Sequence, residues 1–209
     1  MRKGLSRVPL LAMRAMPHDI VYRPAARLFS QIQSGGSVGE PIVFLGDSLT
    51  SGAGVPFAAA YPALLSEALG GRRFVNLGVG GEVSGQIVRR YRATPSLHKH
   101  PVVIWAGRNN YVTVDRVMLD LDEIVRLAGH DRYLVLPIPT GTYPAEEPGE
   151  PGWRAITELN KRIRERYGRH VVELPTFGRD DRWDEIHLSR SGHLKVANEV
   201  ARKIEAAGW

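Results

Sequence analysis

Apolar residues along the chain fall into two alternating kinds of run. Short continuous stretches occur at 42–45, 73–77, 101–106, 133–136 and 171–174. Their length suits strands buried on both faces of a parallel sheet. Between them the apolar positions recur at helical spacing. Tyr61, Leu64, Leu65, Ala68 and Leu69 form one such face, and Val83, Ile87, Val88 and Tyr91 form a second. Val114, Val117, Met118, Leu121, Ile124, Val125 and Ala128 make the longest. Trp153, Ile156, Leu159 and Ile163 precede Gly168, and Leu194, Ala197, Val200, Ala201 and Ile204 mark a last helix capped near Ser189 or Ser191. Five strand–helix alternations predict an α/β fold, a five-stranded parallel sheet with helices on both faces. Right-handed crossovers bring the carboxyl ends of all its strands to one edge, where ligands bind in open α/β sheets.

The chain of 209 residues fits one such domain, from about residue 41 to 209, preceded by an extension over 1–40. Arg2, Lys3 and Arg7 precede a short apolar run, Val8 to Met13, that Arg14 interrupts. This makes a poor secretion signal and predicts an extension that packs on the domain, with Leu28, Phe29 and Ile32 on one helical face. The cytoplasm is the expected compartment. No apolar run is long enough to span a bilayer. The net charge of +6 comes from scattered basic residues without interleaved aromatics, which argues against nucleic-acid binding. With no cysteine, disulfides, thiolate catalysis and cysteine metal sites are excluded.

Candidate chemistry collects at the predicted strand ends. Pro41 to Leu45 runs into Gly46-Asp47-Ser48, which places a serine just beyond a strand in a tight turn, as a nucleophile requires. The alternative is that Asp47 or Ser48 only caps the following segment. Gly46 is expected to end the strand through its backbone freedom. A Gly-x-Ser-x-Gly match around Ser37 precedes the first strand and so lacks the strand–turn–helix setting of a nucleophile elbow. A serine needs a base, usually histidine, and the histidine needs a carboxylate to fix its tautomer. Asp184-Glu185-Ile186-His187 offers both within one turn. Backbone N–H groups in the turn Gly78 to Gly81 and the amide of Asn109 are candidate oxyanion donors. The bland readings are that the glycines only turn the chain and that Asn109 caps a helix. Arg108 is a candidate contact for an anionic or sugar group, against a solvated loop arginine. Tyr111, Tyr143 and Trp183 are candidates to line an acyl or sugar pocket or to pack. His98 and His100 would need further ligands to make a metal site, and Asp180 with Asp181 reads as a solvated loop.

Four blocks together resemble the GDSL or SGNH hydrolase family: Gly46-Asp47-Ser48-Leu49, Asn76-Leu77-Gly78-Val79-Gly80-Gly81, Gly107-Arg108-Asn109-Asn110 and Asp184-Glu185-Ile186-His187-Leu188. The resemblance implies a flavodoxin-like three-layer αβα sandwich. It also implies a serine esterase with Ser48 as nucleophile, His187 as base and acid, and Asp184 orienting His187. Ser48, Gly81 and Asn109 would form the oxyanion hole, and no metal or organic cofactor is implied. Asp47, Arg108, Tyr111 and Trp183 are the candidate substrate contacts. The third block departs from the family's Gly-x-Asn-Asp at Asn110, which leaves open how that loop is braced. The expected substrate is a small-acyl or carbohydrate ester. Longer acyl chains, as for a lipase or thioesterase, and a non-catalytic binding module on the same scaffold are the alternatives. The oligomeric state is not legible.

Overall fold

The computed structural model describes residues 39–209. The predicted extension, its helical face at Leu28 to Ile32 and the Ser37 motif lie outside the described residues.

Four strands, β1 (Ile42–Gly46), β2 (Phe74–Gly78), β3 (Val102–Trp105) and β4 (Tyr133–Val135), form a parallel sheet in the order β2-β1-β3-β4. Its register pairs Leu45 with both Leu77 and Ile104. The two inner strands, β1 and β3, are apolar and buried along almost their whole length, as a sheet covered on both faces demands. The helices are α1 (Ser48–Ser51), α2 (Tyr61–Ala68), α3 (Ser84–Arg92), α4 (Val114–Ala128), α5 (Pro151–Tyr167) and α6 (Arg190–Ala207). The step from β1 to β2 runs one way across the sheet, and the steps to β3 and β4 run the other. Right-handed crossovers therefore put α2 on one face and α3 and α4 on the opposite face. The helix pairs follow: α2 packs on α6, α3 on α4, and α4 on α5. None of the described helices is long and apolar enough to cross a membrane.

The expected fifth strand is reduced to one parallel bridge, Val135 to Val171, with the Val172 N–H donating to Val135 O at 3.0 Å. The sheet thus has four strands where five were expected. Past β4 the groups that would extend the ladder are already used. On the side facing Val171 the next residue after Val135 is Pro137, which has no N–H and whose carbonyl accepts from Trp105 Nε1 at 2.9 Å. Val171 and Val172 still bury their side chains, so their apolar signal reports burial without a ladder.

Gly46 also differs from expectation. It lies within β1 with an ordinary φ, and what requires glycine there is space. A Cβ would stand 2.1 Å from Thr50 Oγ1 and 2.6 Å from Trp105 O. Close packing of α1 onto the strand ends holds the next two residues, Asp47 and Ser48, at the sheet edge.

Candidate active site

Ser48 is the first residue of α1, where its N–H has no intrahelical acceptor. Asp47 caps this helix, its Oδ1 accepting from Leu49 N–H at 3.0 Å. The alternative that Asp47 is a cap therefore holds together with an exposed role for Ser48. Ser48 Oγ lies 3.0 Å from His187 Nε2, and His187 Nδ1 lies 2.7 Å from Asp184 Oδ2. The other Asp184 oxygen accepts from the N–H groups of Ile186 and His187 at 2.8 and 2.7 Å. These bonds close the Asp184–His187 turn on itself and hold the Asp184 carboxyl below its ordinary value despite partial burial. The His187 ring is thereby fixed with Nδ1–H on the carboxylate and Nε2 free to accept the serine proton.

A cavity of about 580 Å³ opens over Ser48, lined by Gly80, Gly81, Arg108, Asn109, Tyr111, Tyr143 and His187 among others. Gly81 has φ +78°, and a Cβ there would meet nothing within 4 Å. Glycine is required for the left-handed backbone of this turn, which lines the cavity. Neither the Ser48 nor the Gly81 N–H donates to another described residue. Asn109 Nδ2 donates one hydrogen to Glu82 O at 2.8 Å, leaving its second for a ligand. Asn109 does not cap α4, which begins five residues later with Thr113 as its N-cap. Glu82 is held in turn by Arg90, whose Nη2 donates to Glu82 Oε2 at 2.6 Å and to Gly46 O at 3.0 Å. Asn76 ties β2 to the serine turn, accepting from Gly78 N–H and donating to Thr50 O.

Asn110, where the family has aspartate, braces the loop with its amide. Its Oδ1 accepts from Ser84 N–H at 3.1 Å and its Nδ2 donates to Ser84 Oγ at 3.0 Å. A buried carboxylate completes the network: Ser84 Oγ donates to Asp120 at 2.6 Å, and Arg116 pairs with the same group.

Arg108 is no solvated loop residue. It is buried, and its Nη2 donates to Glu146 Oε1 at 2.7 Å. Tyr111 Oη donates to the same oxygen at 3.1 Å, while Gly141 N–H donates to the other. The guanidinium also sits 5.0 and 6.0 Å from the ring centres of Tyr111 and Tyr143. Glu146, which the sequence did not single out, thus pins the 137–152 loop against the site as one wall of the cavity. Trp183 does not line this cavity. It borders a neighbouring cleft on the other side of the Asp184–His187 turn.

His193 lies in the first turn of α6, fully buried, with Nδ1 accepting from Tyr61 N–H at 3.3 Å. Burial lowers its pKa to about 4, so it packs as a neutral ring. His98 is bonded to Tyr91 O, His100 to Glu40 and Asp181 to Lys195, so each has a structural partner.

Asp47 is buried, its Oδ2 has no hydrogen-bond partner among the described residues, and burial raises its pKa to about 6. The folded state therefore keeps this proton to higher pH than the unfolded chain does. As pH rises from about 4 to 6, wild-type stability falls by up to about 3 kcal/mol on this account. Asp47→Asn keeps an acceptor for Leu49 and removes the titration. Urea unfolding from pH 4 to 7 is expected to show the variant gaining on the wild type across that window. Parallel curves would show that Asp47 does not titrate there.

A search of curated proteins gives no match. Among solved structures, the chain is similar to a psychrotrophic esterase from Pseudoalteromonas sp., with 19% identity and a TM-score of 0.64 over 81% of this chain and 98% of the other. It is also similar to an acetylxylan esterase from Geobacillus stearothermophilus, with 18% identity and a TM-score of 0.62 over 79% and 94%. An alpha/beta hydrolase enzyme from the metagenome of Lake Arreo, Spain, gives 21% identity and a TM-score of 0.63 over 81% and 96%. At these identities the likeness is one of fold. The model of the GDSL-like lipase/acylhydrolase family matches residues 44–195. The chain therefore belongs to that family and is a carboxylic ester hydrolase.

Proposed function

We propose that the protein cleaves short-acyl esters, with a carbohydrate as the alcohol part, through an acyl-enzyme on Ser48. The observation that carries this reading is the continuous hydrogen-bonded line from Asp184 through His187 to Ser48 Oγ. His187 Nε2 takes the serine proton as Oγ attacks the ester carbonyl. Negative charge gathers on the former carbonyl oxygen, toward the free N–H groups of Ser48 and Gly81 and the spare Asn109 hydrogen. The protonated His187 then gives its proton to the departing alkoxide, and Asp184 stabilises the cation while it lasts. Water, deprotonated by His187 in the same pose, releases the acid from Ser48.

Short acyl groups are favoured by the walls of the cavity. Its aliphatic lining is limited to Ala53 and Ile186, and the rest is glycine, serine, histidine, asparagine, Arg108 and the rings of Tyr111 and Tyr143. Such a lining offers no continuous aliphatic channel for a long acyl chain. The acetylxylan esterase among the similar folds supports the carbohydrate reading.

A panel of p-nitrophenyl esters from C2 to C12 tests the acyl preference. The expected kcat/KM is highest at C2 to C4 and falls at least about tenfold by C8. A rise beyond C8 would instead assign longer acyl chains to the site.

A further inference from the structure

A second cleft, of about 890 Å³, lies beside the Ser48 cavity. A single ridge separates them, closed by Thr142 N–H donating to Glu185 O at 2.8 Å. Thr142, Asp184 and Glu185 face the second cleft, while Tyr143, Ile186 and His187 face the first. Trp183 stands in the second cleft with 68% of its surface exposed, among the most exposed large apolar side chains of the described residues.

The setting of this indole is specific. One side packs directly on Gly54, where a Cβ would come within 2.6 Å of Trp183 Cδ1 and 2.7 Å of Cγ. Gly54 has φ +91°, so both its backbone and its missing side chain suit the contact. The backbone N–H of Trp183 donates to His187 O at 2.8 Å, which ties its main chain to the turn that carries Asp184 and His187. The contact with Gly54 then sets the indole beside that turn.

The lining discriminates between ligand classes. Arg179 and Arg182 stand against Asp180, Asp184 and Glu185, so the lining has no excess of positive charge and gives no preference for a polyanion. Phe177 is covered by the Arg182 guanidinium at 5.8 Å, so Trp183 is left as the apolar surface. That is too little for an acyl chain. The side chains of Thr142, Arg179, Asp180 and Glu185 form no hydrogen bond with any described residue. A flat apolar platform ringed by free donors and acceptors fits a ligand with an apolar face and a rim of hydroxyl groups.

We propose that this cleft is a sugar subsite, in which a ring of an oligosaccharide lies on Trp183 while a neighbouring ring presents its ester across the ridge to Ser48. The proposal rests on the ester-hydrolase reading for its second half only, since sugar binding at Trp183 needs no turnover.

The test uses acetylated xylotetraose and acetylated mannotetraose, each beside its acetylated monosaccharide, with the Ser48→Ala protein studied by calorimetry. At least one tetrasaccharide is expected to bind about tenfold more tightly than its monosaccharide. Adding Trp183→Ala should remove that advantage, and Trp183→Phe should restore part of it. In the enzyme with Ser48 intact, the ratio of kcat/KM for tetrasaccharide to monosaccharide should fall about tenfold in Trp183→Ala. Equal binding of both lengths, or a length advantage that survives Trp183→Ala, would overturn the subsite. An equal loss on both lengths would also overturn it, because it would mean that Trp183 acts only by seating the Asp184–His187 turn. Oligosaccharide binding without any Ser48-dependent hydrolysis would uphold the subsite and refute the carbohydrate-ester reading, so the two failures are distinct.

Discussion

Replacing His187 by alanine is expected to lower kcat on p-nitrophenyl acetate by about 10⁴-fold or more, and Ser48→Ala by a similar amount. The two groups share one proton along a 3.0 Å contact, so either loss disables the same step. The double variant should therefore be no slower than either single one, with a residual rate from the oxyanion donors and binding alone. Asp184→Asn should be about a hundredfold milder, because that residue orients and stabilises the histidine without touching the reacting atoms. Its carboxylate is also partly exposed, so water can take up some of its role. Additive losses in the double variant would mean that Ser48 and His187 act in separate steps. Single-turnover measurements, which separate acylation from release, check this directly.

The second large effect is on stability. Glu146→Ala is expected to cost about 3–5 kcal/mol in urea unfolding, because it leaves the Arg108 guanidinium buried without its counter-charge. Arg108 and Glu146 are only 7% and 5% exposed, so solvent cannot take over the pairing. The same substitution orphans the Tyr111 hydroxyl and the Gly141 N–H. Replacing both members, Arg108→Met with Glu146→Leu, should be much less destabilising than Glu146→Ala, since no unpaired charge remains. A cost below about 1 kcal/mol for Glu146→Ala would show that the pair behaves as an exposed one.

The contrast between these two predictions shows what the sequence could reveal. Ser48, Asp184, His187 and Asn109 sit in short blocks at strand ends or before the last helix, and the topology of a parallel sheet brings such ends together. Their convergence at one sheet edge was therefore legible, with Ser48, Asn109 and His187 lining one cavity and Asp184 behind His187. Arg108 was legible as a candidate but not in its setting. Its partner lies 38 residues away in a loop rich in proline and glycine, where no periodicity marks a buried position. Apolar periodicity identifies faces, and a single buried carboxylate in a loop leaves no such trace.

The fifth strand was misread for a related reason. Val171 and Val172 are as buried as any strand, but beyond Val135 the residue facing them is Pro137, which has no N–H and whose carbonyl is taken by the Trp105 indole. Apolar runs report burial, and pairing depends on what the neighbouring backbone has left to offer. At Asn110 the departure from the family block raised a question of bracing that spacing could not answer. The answer lies in Ser84 and Asp120, on two other helices. As a lone aromatic beside a loop, Trp183 is a candidate either to line a pocket or to pack. Only the geometry separates its cleft from the one over Ser48.

The most direct test of the account is covalent. A fluorophosphonate reacts with a serine hydroxyl only when a base activates it, so labelling followed by intact mass and peptide mapping reads the nucleophile itself. The account predicts one adduct per chain, on the peptide carrying Ser48, absent in Ser48→Ala and strongly slowed in His187→Ala although its serine is intact. No adduct on folded protein, or an adduct on Ser51 or Ser84 instead, would contradict it.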